Sequence, residues 1–376
     1  MKKNQLVTLG KHIDILSGCA FPSSGFNRNN GVPLIRIRDI LSGKTETYYE
    51  GSYDLKYLIK KGDLLVGMDG DFNREYWKGT DALLNQRVCK ITPNPETLDK
   101  NFLYHFLQKE LDKIHATTDV VTVKHLSVKK IQDIKIRLPS LKEQKRIAAI
   151  LDKADAIRQK REQAIKLADD FLRAKFLEMF GTPANNIHRF PKGTIRDLVD
   201  SVNYGTSAKA SIDSGEYPIL RMGNITYQGR WDFTDLKYLD LSVKEKDKYL
   251  VKEGDLLFNR TNSKELVGKT AVYEEDRPMA FAGYLIRVRP NSIGNNYYIS
   301  GYLNSIHGKI TLMNMCKSIV GMANINAQEL QNIEILIPPK HLQDEYEIIY
   351  KKIKKGLSIY DKSAMQLQLL ASNLSN

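Results

Sequence analysis

At 376 residues the chain is too long for one ordinary domain and suits two, each able to bury its own core. With 42% hydrophobic and 27% charged residues it reads as globular rather than disordered, and its formal net charge of +13 points to a polyphosphate partner. Cys19, Cys89 and Cys316 stand too far apart for a zinc site or a disulfide framework, Lys11 and Asp14 interrupt any signal-peptide core, and no apolar run approaches the ~18–20 residues of a membrane span, so a soluble cytoplasmic protein is expected.

In chain order, short segments rich in Ile, Val, Leu and Tyr alternate with Gly, Pro, Asn and Ser, the pattern of strands and turns. PLIRIRD (33–39), GDLLVG (62–67), NQRVCKI (85–91) and IKIRLP (134–139) are predicted strands, and KNFLYHFLQKELDKIH (100–115) is an amphipathic helix. After Leu138 and Pro139 the pattern changes. No Pro or Gly occurs between Ser140 and Phe180, and Gly181 with Pro183 supplies the stop. Ile147, Leu151, Ala154, Ile157, Ile165, Ala168, Leu172, Phe176 and Met179 form one apolar stripe, which predicts a helix of roughly 60 Å. Strands resume with PILRMG (218–223), GDLLFN (254–259), KTAVYEE (269–275) and YLIRVRP (284–290). Beyond Pro338 and Pro339, Leu342, Tyr346, Ile349, Ile353, Leu357, Tyr360, Ala364 and Leu367 mark a second stripe, which Gly356 weakens locally.

The two halves match in order. VPLIRIRDI (32–40) pairs with YPILRMGNI (217–225), KKGDLLVGMDG (60–70) with KEGDLLFNRTN (252–262), and LSVKKIQDIKIRLP (126–139) with INAQELQNIEILIP (325–338). The fold class is therefore α+β. It has two homologous mixed α/β units, 1–140 and 182–338, each followed by a long helix, 141–181 and 339–376. The two helices bury each other as an antiparallel coiled coil, unless each packs on a globular unit.

Two similar units in one chain suit the reading of two different DNA half-sites. The frame is kept while the loops differ, VGMDGDFNREYW (66–77) standing where the second half has FNRTNSKELVG (258–268). Arg reads guanine, Asn or Gln adenine, and a carboxylate cytosine. The candidate base readers are thus Asp69, Asp71, Asn73, Arg74, Asn85, Gln86 and Arg87 in the first unit. In the second they are Asn259, Arg260, Thr261, Asn262, Ser263 and Lys264. Lys124, Lys129, Lys209 and Arg221 are candidate phosphate contacts. For any single residue, an ordinary polar turn after a strand is the competing reading. KKIKK (351–355) is read as a solvated face, and Tyr48, Tyr49, Tyr297 and Tyr298 as packing.

No catalytic constellation is present in the sequence. It lacks the Asn-Pro-Pro-aromatic and Asp-Pro-Pro-Tyr tetrapeptides of amino-methyltransferases, HExxH and GxSxG. Gly268-Lys269-Thr270 imitates the end of a phosphate-binding loop, but Ser263 stands where that loop needs glycine, and the segment continues as a strand.

The segment from IRLPSLKEQKRIAAILDKADAIRQ to FLEMFG (136–181) resembles the central region of type I restriction–modification specificity subunits, with a Pro-ending strand joined to a helix starting near Glu143-Gln144. KKGDLLVGMDG with LLNQRVCKI resembles one target-recognition domain of that family, and KEGDLLFNRTNSKELVGKTAVY another. The second helix departs from the pattern at Gln343-Asp344, where the Glu-Gln pair is missing. The resemblance implies a non-catalytic subunit that binds no cofactor and reads a split asymmetric site in double-stranded DNA, with half-site centres ~10 bp apart if both units meet one DNA face. It further implies two modification subunits that use S-adenosylmethionine to methylate adenine, and restriction subunits that use ATP and Mg2+ for translocation and cleavage. The outer face of the central helix, with Lys142, Arg146, Lys153, Arg158 and Arg161, is then expected to bind partners. A stand-alone DNA-binding regulator and a cryptic nuclease are the rival readings.

Overall fold

A computed structural model describes residues 6–118, 124–316 and 322–374, with side chains as far as Leu357. It divides into two compact units, Met1–Gln159 with Ser363–Asn376, and Lys160–Lys362.

The first unit carries two sheets. One is antiparallel, in the order Ile13–Ser17, Val88–Pro93, Leu64–Gly67, Arg74–Tyr76. The other runs Phe26–Asn27, Tyr48–Tyr49, Val32–Ile35, Ala82–Leu84, Leu58–Ile59, and contains a parallel pair in which Leu34 faces Leu83. Strand Leu64–Gly67 shows why both faces are covered. Side chains alternate across a sheet, so Leu64 and Val66 enter the core beneath helix α1 (Lys100–Thr117), while Leu65 joins Ile35, Ile59 and Trp77 between the sheets. Gly62 before the strand adopts φ +90, which an L side chain resists, and the Asp63 carboxylate accepts from the Lys60 backbone N–H to close the turn. A short helix α2 (Val128–Gln132) then leads to strand Lys135–Arg137, which returns to pair with Leu6–Thr8.

Helix α3 (Leu141–Phe180) follows. In the first unit its Asp152 carboxylate takes bonds from Asn101 and pairs with His105 of α1 at 2.7 Å.

The second unit repeats this plan. Its antiparallel sheet runs Val199–Tyr204, Leu285–Pro290, Leu256–Asn259, Thr270–Val272. Its companion sheet has the parallel pair Leu220 and Phe281, and also receives Leu250–Val251, the strand that follows helix α4 (Val243–Tyr249). Leu256 and Phe258 face one core and Leu257 the other. Gly254 has φ +88, and Asp255 closes the same turn on Lys252. The single helix α1 is replaced by two, α5 (Asn296–Asn304) and α6 (Ile306–Met315), broken at Ser305, which caps the second by accepting from the Gly308 N–H. Helix α7 (Ala327–Gln331) stands where α2 does, and α8 (Lys340–Leu374) where α3 does.

Within the second unit α3 and α8 pack antiparallel. The Phe176 ring lies 5.3 Å from Tyr346, and further along, Asp169 and Leu172 share a hollow with Tyr350, Ile353 and Leu357. Phe176 also stacks on Tyr298 of α5 at 5.6 Å, so the seam is helix on helix and helix on globular unit at once. Helix α8 runs through Gly356 unbroken. The stripe positions Tyr360, Ala364 and Leu367 lie outside the described side chains.

One reading of the helix starts is corrected. Gln343 does not depart from the pattern, because it occupies the place of Gln144. Both are fully buried, and both amide groups donate to two carbonyls, Thr97 and Pro139 for Gln144 and Ile293 and Pro338 for Gln343. Only Glu143 is exchanged, for Leu342.

Candidate nucleic-acid interface

At the end of strand Leu64–Gly67 the chain is held from both sides. The Met68 N–H donates to the Arg87 carbonyl at 2.9 Å, and the Leu126 N–H donates to the Met68 carbonyl at 2.7 Å. In the second unit Arg260 donates to Tyr284 at 3.0 Å, and Ile325 to Arg260 at 2.9 Å. The next residue is therefore presented identically in both units, and its side chain carries the difference.

In the first unit that residue is Asp69. Its carboxylate lies 2.6 Å from His125 Nδ1 and 2.5 Å from Arg87 Nη1, and both partner side chains are mostly solvent-exposed. Asn85 and Gln86 precede Arg87 at the rim of an open hollow of about 410 Å3, lined also by Arg36 and Phe26. The Arg36 guanidinium lies over the Phe26 ring at 5.4 Å. Asp71 is exposed and Asn73 half-buried on the neighbouring turn. A carboxylate between two donors, beside two amides, is a set that base edges can engage.

In the second unit the position is Thr261, whose Oγ1 lies 3.0 Å from the Asn324 side-chain oxygen. Arg260 lies over the Tyr204 ring at 5.0 Å, its Nη1 3.5 Å from the Gly283 carbonyl and its Nε buried without a hydrogen-bond partner among the described residues. Asn262 and Ser263 are half-exposed and Lys264 exposed.

Several sequence candidates have other occupations. Arg74 is stacked 3.5 Å from the centre of the Tyr104 ring and faces α1, because its strand turns that side inward. Asn259 is fully buried, its amide directed at the Leu266 carbonyl, so it shapes the loop and cannot meet a base edge. Thr261 is mostly buried against Asn324. Among the phosphate candidates, Lys124 donates to the His115 carbonyl at 2.6 Å, and Arg221 pairs with Asp235 at 2.8 Å, whereas Lys129 and Lys209 are exposed. On α3, Lys142, Arg146, Lys153 and Arg158 are exposed, but Arg161 is half-buried with its Nε out of solvent and does not belong to the outer face.

His125, Asn324, Arg36 and Tyr204 were not legible as site residues. His125 and Asn324 stand one position ahead of the matched segments beginning at Leu126 and Ile325, so extending that match by one residue would have exposed the pair. Lys269 of the false phosphate-loop motif donates to the Met222 carbonyl, and Thr270–Val272 is a strand. Among the described residues, no group of His, Cys, Asp or Glu is placed to hold a metal ion, and no helix is long and apolar enough to cross a membrane.

The two mixed α/β units present different polar side chains from matching backbone hydrogen bonds, the arrangement of a chain with two separate DNA-recognition units. The chain belongs to the type I restriction modification DNA specificity family, whose model matches residues 1–167 and again 190–371. It is 30% identical to the type I restriction enzyme EcoBI specificity subunit of Escherichia coli, over 98% of this chain and 82% of that protein. It is 23% identical to the EcoKI specificity subunit of Escherichia coli K12, over 93% and 80%. In fold it is similar to the type I restriction–modification S subunit from M. genitalium, with TM-score 0.64 and 15% identity over 100% of this chain and 96% of that one. This is a family of DNA-recognition subunits whose complexes carry catalysis on other chains.

Proposed function

We propose that each unit reads one half of a bipartite asymmetric DNA site, and that the chain directs adenine methylation by two modification subunits and cleavage by restriction subunits. The observation that carries this reading is the paired frame. Asp69, His125 and Arg87 in the first unit stand where Thr261, Asn324 and Tyr284 stand in the second, on matching backbone hydrogen bonds. Identical presentation with unlike donors and acceptors gives two different half-sites. This chain supplies no reacting group; S-adenosylmethionine would serve the modification subunits, and ATP with Mg2+ the restriction subunits. Partner binding falls to the outside of α3, where in the second unit Leu167 and Phe171 are exposed one helical turn apart.

The test is co-expression with a modification subunit of the same system, followed by genome-wide mapping of methylated adenines. A split motif with a fixed gap, lost when this chain is deleted, is the expected result. An assembled, cofactor-supplied complex that adds no methylation overturns the reading.

A further inference from the structure

The second unit contains a hollow of about 350 Å3 between the loop after strand Thr261–Asn262 and helix α6, and of the candidate base readers Lys264 alone lines it. Arg173, Tyr227, Lys264 and Lys309 are among its lining residues. The Lys309 ammonium is shut off from bulk solvent and has no hydrogen-bond partner among the described residues. It lies 4.8 Å from the centre of the Tyr227 ring, which offsets only part of a buried charge's cost. Burial, with the cations Arg173 and Lys269, pushes its pKa down to about 8. The nearby acids are occupied: Asp170 is 3.8 Å from Arg173, and Glu265 is exposed and bonded to its own loop and to Ser263. In the first unit Lys113, at the same count from the Asp99 cap as Lys309 from Asn295, is exposed and paired with Glu110 at 2.6 Å. Glu265 itself lines the hollow beside Lys264, so one carboxylate stands among the converging cations, but no acid bonds Lys309 among the described residues.

We propose that this hollow seats a phosphate of the DNA backbone, with Lys309 and Lys264 donating to its oxygens and Arg173 adding to the positive field. The inference rests on the DNA-reading function above. Lys264 decides for DNA over a partner's carboxylate, since it follows Asn262 of the reading strand by two residues and stands exposed at the rim. A phosphate gripped there would fix the register of the second half-site while carrying no base information.

The test uses the full chain assembled with its modification subunits, and follows DNA binding against salt. Lys309→Gln should lower the slope of log affinity on log salt by about 0.9, equally on cognate and unrelated duplexes, and leave the methylated motif unchanged. Lys309→Arg should keep the slope, and Lys264→Gln, at an exposed position, should reduce it without touching the fold. A scan of single neutral methylphosphonates should find one position that weakens the wild type and not Lys309→Gln. Melting of the free Lys309→Gln chain no lower than wild type excludes misfolding. If the wild type reads its site but Lys309→Gln and Lys264→Gln bind with unchanged slope, the seat is overturned. Lost assembly with intact DNA binding overturns it equally, in favour of a carboxylate. If the wild-type complex reads no site at all, the function itself fails.

Discussion

Three arginines show how neighbours decide what one residue type can do. Arg87 is exposed and, among the described residues, its side chain is held by Asp69, which leaves N–H donors for a base edge. Arg74 lies flat on Tyr104, which in turn stacks on Tyr76 at 4.7 Å, so its charge is invested in packing against α1. Arg260 is intermediate, backed by Tyr204 and pre-aimed, with one weak bond to Gly283. A guanidinium stacked on a ring loses less freedom when it grips a guanine. Arg260→Ala is therefore expected to relax or weaken the second half-site alone, by ~1–3 kcal/mol if the contact is bidentate. Competition binding with each half-site scrambled in turn measures this; equal loss on unrelated DNA would make Arg260 a phosphate contact instead.

The long helices show what elements contribute. Phe176 is fully buried, meets Phe180, Tyr298 and Tyr346, and lies so close over Gly301 that a Cβ there would sit 2.6 Å from its ring. Truncation to Phe176→Ala opens a cavity at this junction and should cost ~3–5 kcal/mol, read by urea unfolding. Helix α3 was legible in the sequence, because forty residues without Pro or Gly and with a continuous stripe admit no other periodicity, and α8 was legible from its stripe despite Gly356. The strand Leu64–Gly67 was legible too, since Gly62 and Asp63 announce its turn and its apolar run its burial. The parallel pairing of Leu34 with Leu83 was not, as strands of three or four residues carry no sign of direction. The candidate site could be marked in the sequence as a region rather than residue by residue. A polar residue after a strand reads the same whether it turns inward like Asn259 or outward like Lys264, and only the tertiary fold separates them. The break between α5 and α6, which makes the Lys309 hollow possible, depends on Ser305 turning its hydroxyl onto Gly308, a local choice that composition does not reveal.

For the whole molecule, the decisive feature is that one of the two units is built from distant stretches of chain. The first comprises Met1–Gln159 and Ser363–Asn376, the end of α8, whereas the second, Lys160–Lys362, is continuous. During synthesis the ribosome must therefore complete the second unit before it delivers the last piece of the first. The first unit spends that interval without its C-terminal segment, so the order of maturation runs opposite to the order of translation. Deleting Ser363–Asn376 should lower hydrogen-exchange protection throughout residues 6–118 while sparing the strands of 199–290. Uniform loss across both units would instead mean that the chain matures as a single cooperative body. If the expected pattern holds, a cell making this protein has a built-in delay, during which the nascent chain already carries one finished reader and the other still awaits the last turns of its helix.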